Sequence, residues 1–497
     1  MWLKRLNKKH ILFIVFSLFY LILSLVTYKD YGITSDEQLE YRAGKTYFNY
    51  LFSNTSKRQE IVTKVSPREN PQDFPYFRLY PGLVSLINYQ SYYEWAHLID
   101  LLFGYLGFLV IYLLVFDITR SKLSILAPLL LFLNPYYFGH IPANPKDIPF
   151  STLYLFCVYL IIKLDTNRIK PFIILGIFLG LLTGMRFVGL TLFCFLAIKL
   201  LTSVKNRNDL FKIALRFTAT VLILSIILYL IWPYLWHDPV NQLLSLARDA
   251  QDFSFWDRDT LFGGQLITKD TRPWYYLFTY IFYKTPPLIL LGLLGSLFVK
   301  SRKILFILVI VVFNLVLYLI LQPTIYNEMR HFLYLVPLFT VLSAILFINL
   351  LGSRKTLVFR TILVVILCGL LKMSYDFVLL HPYQYVYFNE FAGKMVYITK
   401  KYEVDYWSAS YKESSEYLRN LSLQSPTPIK VYPCNLAFGV DYYSHKSFVL
   451  VNKSKDADYI ICDYQNALIN NFDLEGRIVF KVVRKGATLS YVAKTDR

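Results

Sequence analysis

The sequence is poor in the features that mark metal proteins, nucleotide-binding proteins and repeat proteins. Five cysteines stand among 497 residues, at 157, 194, 368, 434 and 462. No Cys/His cluster has zinc-site spacing, and no metal is indicated. The polar C-terminal stretch has no glycine-rich phosphate loop and no nucleophile elbow, so it reads neither as a nucleotide-binding domain nor as a serine hydrolase. No internal repeat or low-complexity tract is present. No small-residue cleavage site follows the first apolar run, which is therefore kept as structure. Acidic residues are also scarce, 33 against 52 Lys and Arg, leaving a net charge of +19. The basic residues are spread among short loops rather than gathered in one patch, which argues against a nucleic-acid partner.

What is abundant is apolar sequence. Hydrophobic residues make up 56% of the chain and the mean hydropathy is +0.42. That much apolar surface cannot be hidden in soluble cores. In lipid every backbone polar group needs an internal partner, so apolar runs near 20 residues become helices. The runs at about 11–27, 98–116, 123–139, 149–164, 171–185, 187–203, 213–233, 276–299, 304–321, 332–351 and 356–375 predict eleven spans. The junction of the fifth and sixth falls at Arg186.

Alternate loops are short and basic. Lys4, Arg5, Lys8 and Lys9 precede the first span; Arg120 and Lys122 follow the second; Lys163, Arg168 and Lys170 follow the fourth. Lys199, Lys205, Arg207 and Lys212 follow the sixth, Lys300, Arg302 and Lys303 the eighth, and Arg354 and Lys355 the tenth. The positive-inside rule then puts the N-terminus in the cytoplasm and, after an odd number of spans, the C-terminal segment outside the plasma (inner) membrane. The expected division is a membrane module, 1–380, with large outer loops at 28–97 and 234–275, and an extracytoplasmic α/β domain, 381–497. In the first outer loop, Leu39–Phe52 and Tyr80–Trp95 read as amphipathic interfacial helices, with a polar, proline-containing and mobile Asn54–Phe74 between them. The second carries Asp249, Asp252, Asp257 and Asp259 and a turn at Gly263-Gly264. In the outer domain Lys412–Leu421 reads as a helix, and 429–432, 448–451, 459–462, 478–483 and 489–492 read as strands. Cys434 and Cys462 share this domain and can pair in an oxidising compartment. The domain reads as a lid or as an acceptor-docking module.

Three constellations carry the candidate chemistry, all at the outer face. Asp36-Glu37 directly follows the first span. Ser35 or Asp36 would cap the interfacial helix, and a pinned helix N-terminus is a good way to fix a catalytic carboxylate. The loop His140–Pro149, stiffened by three prolines, presents Asn144, Lys146 and Asp147. The segment Tyr326-Asn-Glu-Met-Arg-His331 places Arg330 and His331 at the entry to the tenth span, where an arginine can grip a phosphate with two prongs. Arg186 is a further phosphate-binding candidate. His237 and Asp238, after the seventh span, are possible site members. Carboxylates suited to deprotonating an acceptor hydroxyl thus share a face with cations suited to a departing phosphate. The matching substrate is a sugar on a polyprenyl phosphate, whose tail the helical bundle can take. The competing reading is a polytopic transporter or lipid-linked-sugar flippase. Against it stand the absence of an inverted repeat and the one-sided placement of the polar groups.

The order span, Asp-Glu, interfacial helix, many spans and outer domain resembles the GT-C membrane glycosyltransferases, of the protein O-mannosyltransferase and aminoarabinose lipid A transferase type. Asp36-Glu37 with Tyr41 is similar to that family's first-loop acidic motif. Asn144-Pro-Lys-Asp147, Tyr326–His331 and His381-Pro-Tyr-Gln-Tyr385 are similar to segments of bacterial members. The resemblance covers the eleven spans. It implies a GT-C fold and inverting transfer of a sugar from a polyprenyl monophosphate. The expected roles are Asp36, Glu37 and Asp147 in catalysis, and Lys146, Arg330 and Arg186 on the donor phosphate. The Trp-Trp-Asp-Tyr-Gly motif of oligosaccharyltransferases is absent, and so are trefoil repeats like those of eukaryotic mannosyltransferases. Sugar and acceptor are left open.

Overall fold

A computed structural model describes residues 10–74, 77–87, 93–204, 206–249, 258–353, 355–473 and 475–495. Lys4, Arg5, Lys8, Lys9, Lys205, Asp252, Asp257 and Arg354 lie outside the described residues, as does the side chain of Asp249.

Every expected span coincides with an apolar helix or a broken pair of helices, though fewer are long enough to cross a bilayer alone. Five described helices meet that standard by length and composition: 93–119, 207–231, 302–321, 330–351 and 356–380. A sixth span forms if the Tyr276–Lys284 and Pro287–Ser296 helices, bent by 111°, are taken together. Pro286 and Pro287 explain the bend, because a proline biases the residue before it away from helical backbone. The expected third span is likewise interrupted. One helix ends at Phe132, and Pro135 starts another, with Asn134 Oδ1 accepting the Tyr137 N–H (3.3 Å). Asn54–Phe74 is more ordered than expected: Asn54 Oδ1 takes the Lys57 N–H (3.0 Å) and opens the helix Thr55–Lys64.

Burial separates lipid-facing helices from central ones. The Ile11–Thr27 helix buries Phe13, Phe16, Tyr20 and Ser24 along one stripe, while Leu12, Val15, Phe19 and Ile22 on its other faces are exposed. Such an apolar exposed face suits hydrocarbon. Val336–Leu351 is buried on nearly all sides and lies at the centre of the bundle. The amphipathic helices Ser35–Leu51 and Leu79–Ile87 pack closely at Gly44 and Gly82. A Cβ on Gly44 would come within 2.5 Å of the Gly82 nitrogen.

The C-terminal part folds on a five-stranded mixed sheet. Its strand order is 449–450, 430–433, 459–462, 487–494, 478–484. The first two pairings are parallel, and the rest are antiparallel. The helix Tyr411–Ser422 packs Leu418 into the apolar core with Val431, Ile461 and Val492. Cys434 and Cys462 form a disulfide. The five expected strands and the helix are all present, with ends that differ by at most two residues.

Candidate active site

The Ser35–Leu51 helix is capped one residue earlier than expected. Thr34, in extended conformation (φ −99°, ψ 157°), is the N-cap. Glu37 closes a capping box by accepting the Thr34 N–H at Oε2 (2.7 Å). The Thr34 hydroxyl lies 3.1 Å from both that oxygen and the Ala143 carbonyl, which ties the helix to the proline-stiffened loop. The other Glu37 oxygen lies 3.0 Å from His97 Nε2, and both side chains are fully buried. Glu37 therefore anchors the first turn with both oxygens. Asp36, its neighbour, is part-exposed, and its Oδ2 accepts from the Arg330 guanidinium at 2.5 Å.

The loop before the Asp147–Lys163 helix is organised by Asn144. Its Oδ1 accepts the Asp147 N–H (2.9 Å), and its Nδ2 donates to Asp147 Oδ2 (3.0 Å). The other Asp147 oxygen accepts from Arg186. Arg186 caps the end of the Lys170–Met185 helix, in the junction between two apolar segments. Arg330, His331 and Lys146 also lie near enough to act on the Asp147 charge. Lys146 Nζ is 3.7 Å from Glu40 Oε1, and Glu40 Oε2 is 3.3 Å from Arg78 Nε. The Arg78 guanidinium lies 4.2 Å from the Phe74 ring centroid. Burial draws the Lys146 pKa below the usual lysine range, against the upward pull of Glu40.

Arg330 is buried between aromatic rings, 5.0 Å from the Tyr326 centroid and 5.6 Å from that of Trp407. The His331 ring meets Tyr326 edge-on at 4.5 Å. Beside this cluster lies a cavity of about 320 Å³. Arg186 and His331 line it, and its walls are mainly apolar, among them Phe187, Leu190, Leu317 and Phe332. A charged head thus adjoins a greasy cleft.

The structure brings together Asp36, Glu37, Asn144, Lys146, Asp147, Arg186, Tyr326, Arg330 and His331. It does not bring in His237 or Asp238. Both are exposed, and Asp238 caps its own helix by accepting the Asn241 N–H (3.2 Å). Their place after an apolar run suggested an outer-face position, but the loop carries them away from the cluster. Sequence reasoning missed Glu40, Arg78, His97 and Trp407. Glu40 had a signal, lying one helical turn after Asp36. Arg78 and His97 had none, since their partners are fixed by the packing of separate elements. Among the described residues, no group of three or more His, Cys, Asp or Glu could hold a metal ion.

No family model matches the sequence, and no curated protein does. Solved structures do match. ArnT from Cupriavidus metallidurans in the apo state aligns over 96% of this chain and 97% of its own, with 12% identity and a TM-score of 0.52. The same protein bound to undecaprenyl phosphate aligns over 96% and 98%, with 11% identity and a TM-score of 0.52. At that identity the likeness shows the fold alone: this chain shares the fold of those ArnT structures.

Proposed function

We propose that this chain is a membrane glycosyltransferase that moves a sugar from a polyprenyl monophosphate to an acceptor on the extracytoplasmic face, with inversion. The observation that carries the reading is the Asp36–Arg330 pair, set in a carboxylate–cation cluster beside an apolar cavity. In this scheme Asp36 takes the proton of the acceptor hydroxyl. The acceptor oxygen then attacks the anomeric carbon from the face opposite the phosphate, and the carbon–oxygen bond to the phosphate breaks. Arg330, Lys146 and Arg186 receive the charge that develops on the leaving phosphate. Asp147 holds Arg186, and Glu37 holds the turn that carries Asp36. The cavity takes the proximal isoprene units. ArnT, bound to undecaprenyl phosphate in one structure, has the same fold, which supports this class of donor.

The orientation follows from the basic loops, with the N-terminus cytoplasmic, eleven membrane-crossing or membrane-entering segments, and residues 381–497 outside. The disulfide Cys434–Cys462 suits that compartment. The decisive experiment incubates purified protein with a radiolabelled polyprenyl-phosphate sugar and an envelope-lipid or glycan extract. Label moving to the extract supports the reading. Label that stays on the donor but crosses the bilayer of a vesicle would make the chain a flippase instead.

A further inference from the structure

The motif Tyr326–His331 contains one acidic residue, Glu328, that has no part in the scheme above. It faces Lys284. The ammonium lies 2.5 Å from Glu328 Oε1, and both side chains are fully buried. We propose that the Lys284–Glu328 ion pair sets the position of Arg330, so that both are positioning residues for the donor phosphate. The inference rests on the donor reading given above.

Each end of the pair is fastened. Lys284 closes the first half of the bent helix pair, next to the 111° bend. Its ammonium sits 3.6 Å from the Phe388 ring centroid. The neighbouring Asn389 binds the same bend, donating from Nδ2 to the Thr285 carbonyl (2.9 Å). Glu328 stands two residues before Arg330. It and Asn327 hold left-handed backbone, with φ of 64° and 53°. L-residues adopt that conformation only where surroundings enforce it. The Tyr276 hydroxyl accepts the Glu328 N–H (3.2 Å), adding a second point of hold on the same turn. Burial pushes the Glu328 carboxyl upward, and the Lys284 ammonium beside it pulls the other way, toward the charged pair.

A buried ion pair is a poor way to gain stability, because removing two charges from water offsets most of their attraction. Apolar side chains of the same size would fill the space as well. What the pair supplies is a single register: one carboxylate position, hence one course for the next two residues. Arg330 must reach Asp36 at rest and a phosphate when the donor is bound, so its backbone has to be held from elsewhere.

The test measures undecaprenyl phosphate binding to the purified full chain. Glu328→Gln should weaken binding about tenfold in the wild-type background and have almost no effect in an Arg330→Ala background, because the two act through one group. The double replacement Lys284→Met/Glu328→Leu should fold with undiminished thermal stability yet bind as weakly as Glu328→Gln. The charge swap Lys284→Glu/Glu328→Lys should recover part of the loss. Wild-type affinity in the Met/Leu protein would overturn the inference alone, as would an equal loss in both backgrounds. If the wild-type protein itself fails to bind undecaprenyl phosphate, the donor reading falls, and this inference falls with it.

Discussion

Two clusters of carboxylates, all buried except the part-exposed Asp36, are built on opposite plans. At the cavity each acid meets a cation: Asp36 meets Arg330, Asp147 meets Arg186, and Glu40 meets Arg78 and Lys146. Where the chain leaves the last helix for the sheet, Glu403, Asp405 and Asp463 are held chiefly by neutral donors. Glu403 accepts from Gln465 Nε2 (2.8 Å), and Asp405 from the N–H groups of Ala409 and Ser410 (both 3.1 Å). Asp463 accepts from the Tyr411 hydroxyl (3.0 Å). Arg258 lies close by, but its guanidinium donates to Asn466. A facing cation favours the ionised carboxylate, whereas burial among neutral donors favours the protonated one. Burial accordingly pushes Glu403 up to about 7 and Asp405 up to about 6. The first plan suits groups that take protons or orient charge. The second suits groups that join two parts of a fold.

The sharpest way to break this contrast is at Asp36. Asp36→Asn keeps the shape of the side chain but cannot take a proton. Transfer should fall by about 10²–10⁴-fold with expression intact. Near-normal turnover in purified protein would remove Asp36 from the chemistry.

A smaller effect is expected at the cations. Arg330→Ala should cost about 1.5–3 kcal/mol, roughly one to two decades in donor affinity or rate. Arg330→Lys should restore only part, because the two-pronged geometry is lost. Donor titrations check both. If Arg330→Ala and Lys146→Ala keep wild-type donor dependence and maximal rate, the phosphate is held elsewhere.

The junction should respond to pH instead of to donor. The Glu403 and Asp405 carboxyls are raised in the folded protein from ordinary values of 4.5 and 3.8. The folded state therefore binds more protons than the unfolded one across that window. Their contribution to stability is fully present below about pH 4 and is lost as pH rises through about 6 and 7. Thermal melts of wild-type protein should show this loss, and Glu403→Gln should flatten it. A Glu403→Gln melt profile parallel to wild type would show that Glu403 titrates normally.

The smallest effect is expected at His237 and Asp238. Alanine at either should leave transfer and donor affinity within about twofold of wild type, since neither reaches the cluster; in kinetic assays a tenfold loss would place this loop in the site.

Much of the molecule was legible because lipid and water leave few choices. Apolar runs must become helices in a bilayer, and alternating apolar residues with turn signals must become strands, so the order of elements could be read directly. Asp36, Lys146, Asp147 and Arg330 could be picked out because charges beside apolar runs are costly without a partner or a task. The pairings could not be read. Asp36 meets Arg330 across 294 positions, His97 backs Glu37, and Arg78 joins Lys146 on Glu40. These contacts depend on how the interfacial helices cross and on where prolines break the spans at 135 and 287. Sequence by itself determined which residues flank the apolar runs, because hydropathy is read along one chain. Only the tertiary structure decided which carboxylate faces which cation, because that depends on packing between elements that hydropathy does not encode.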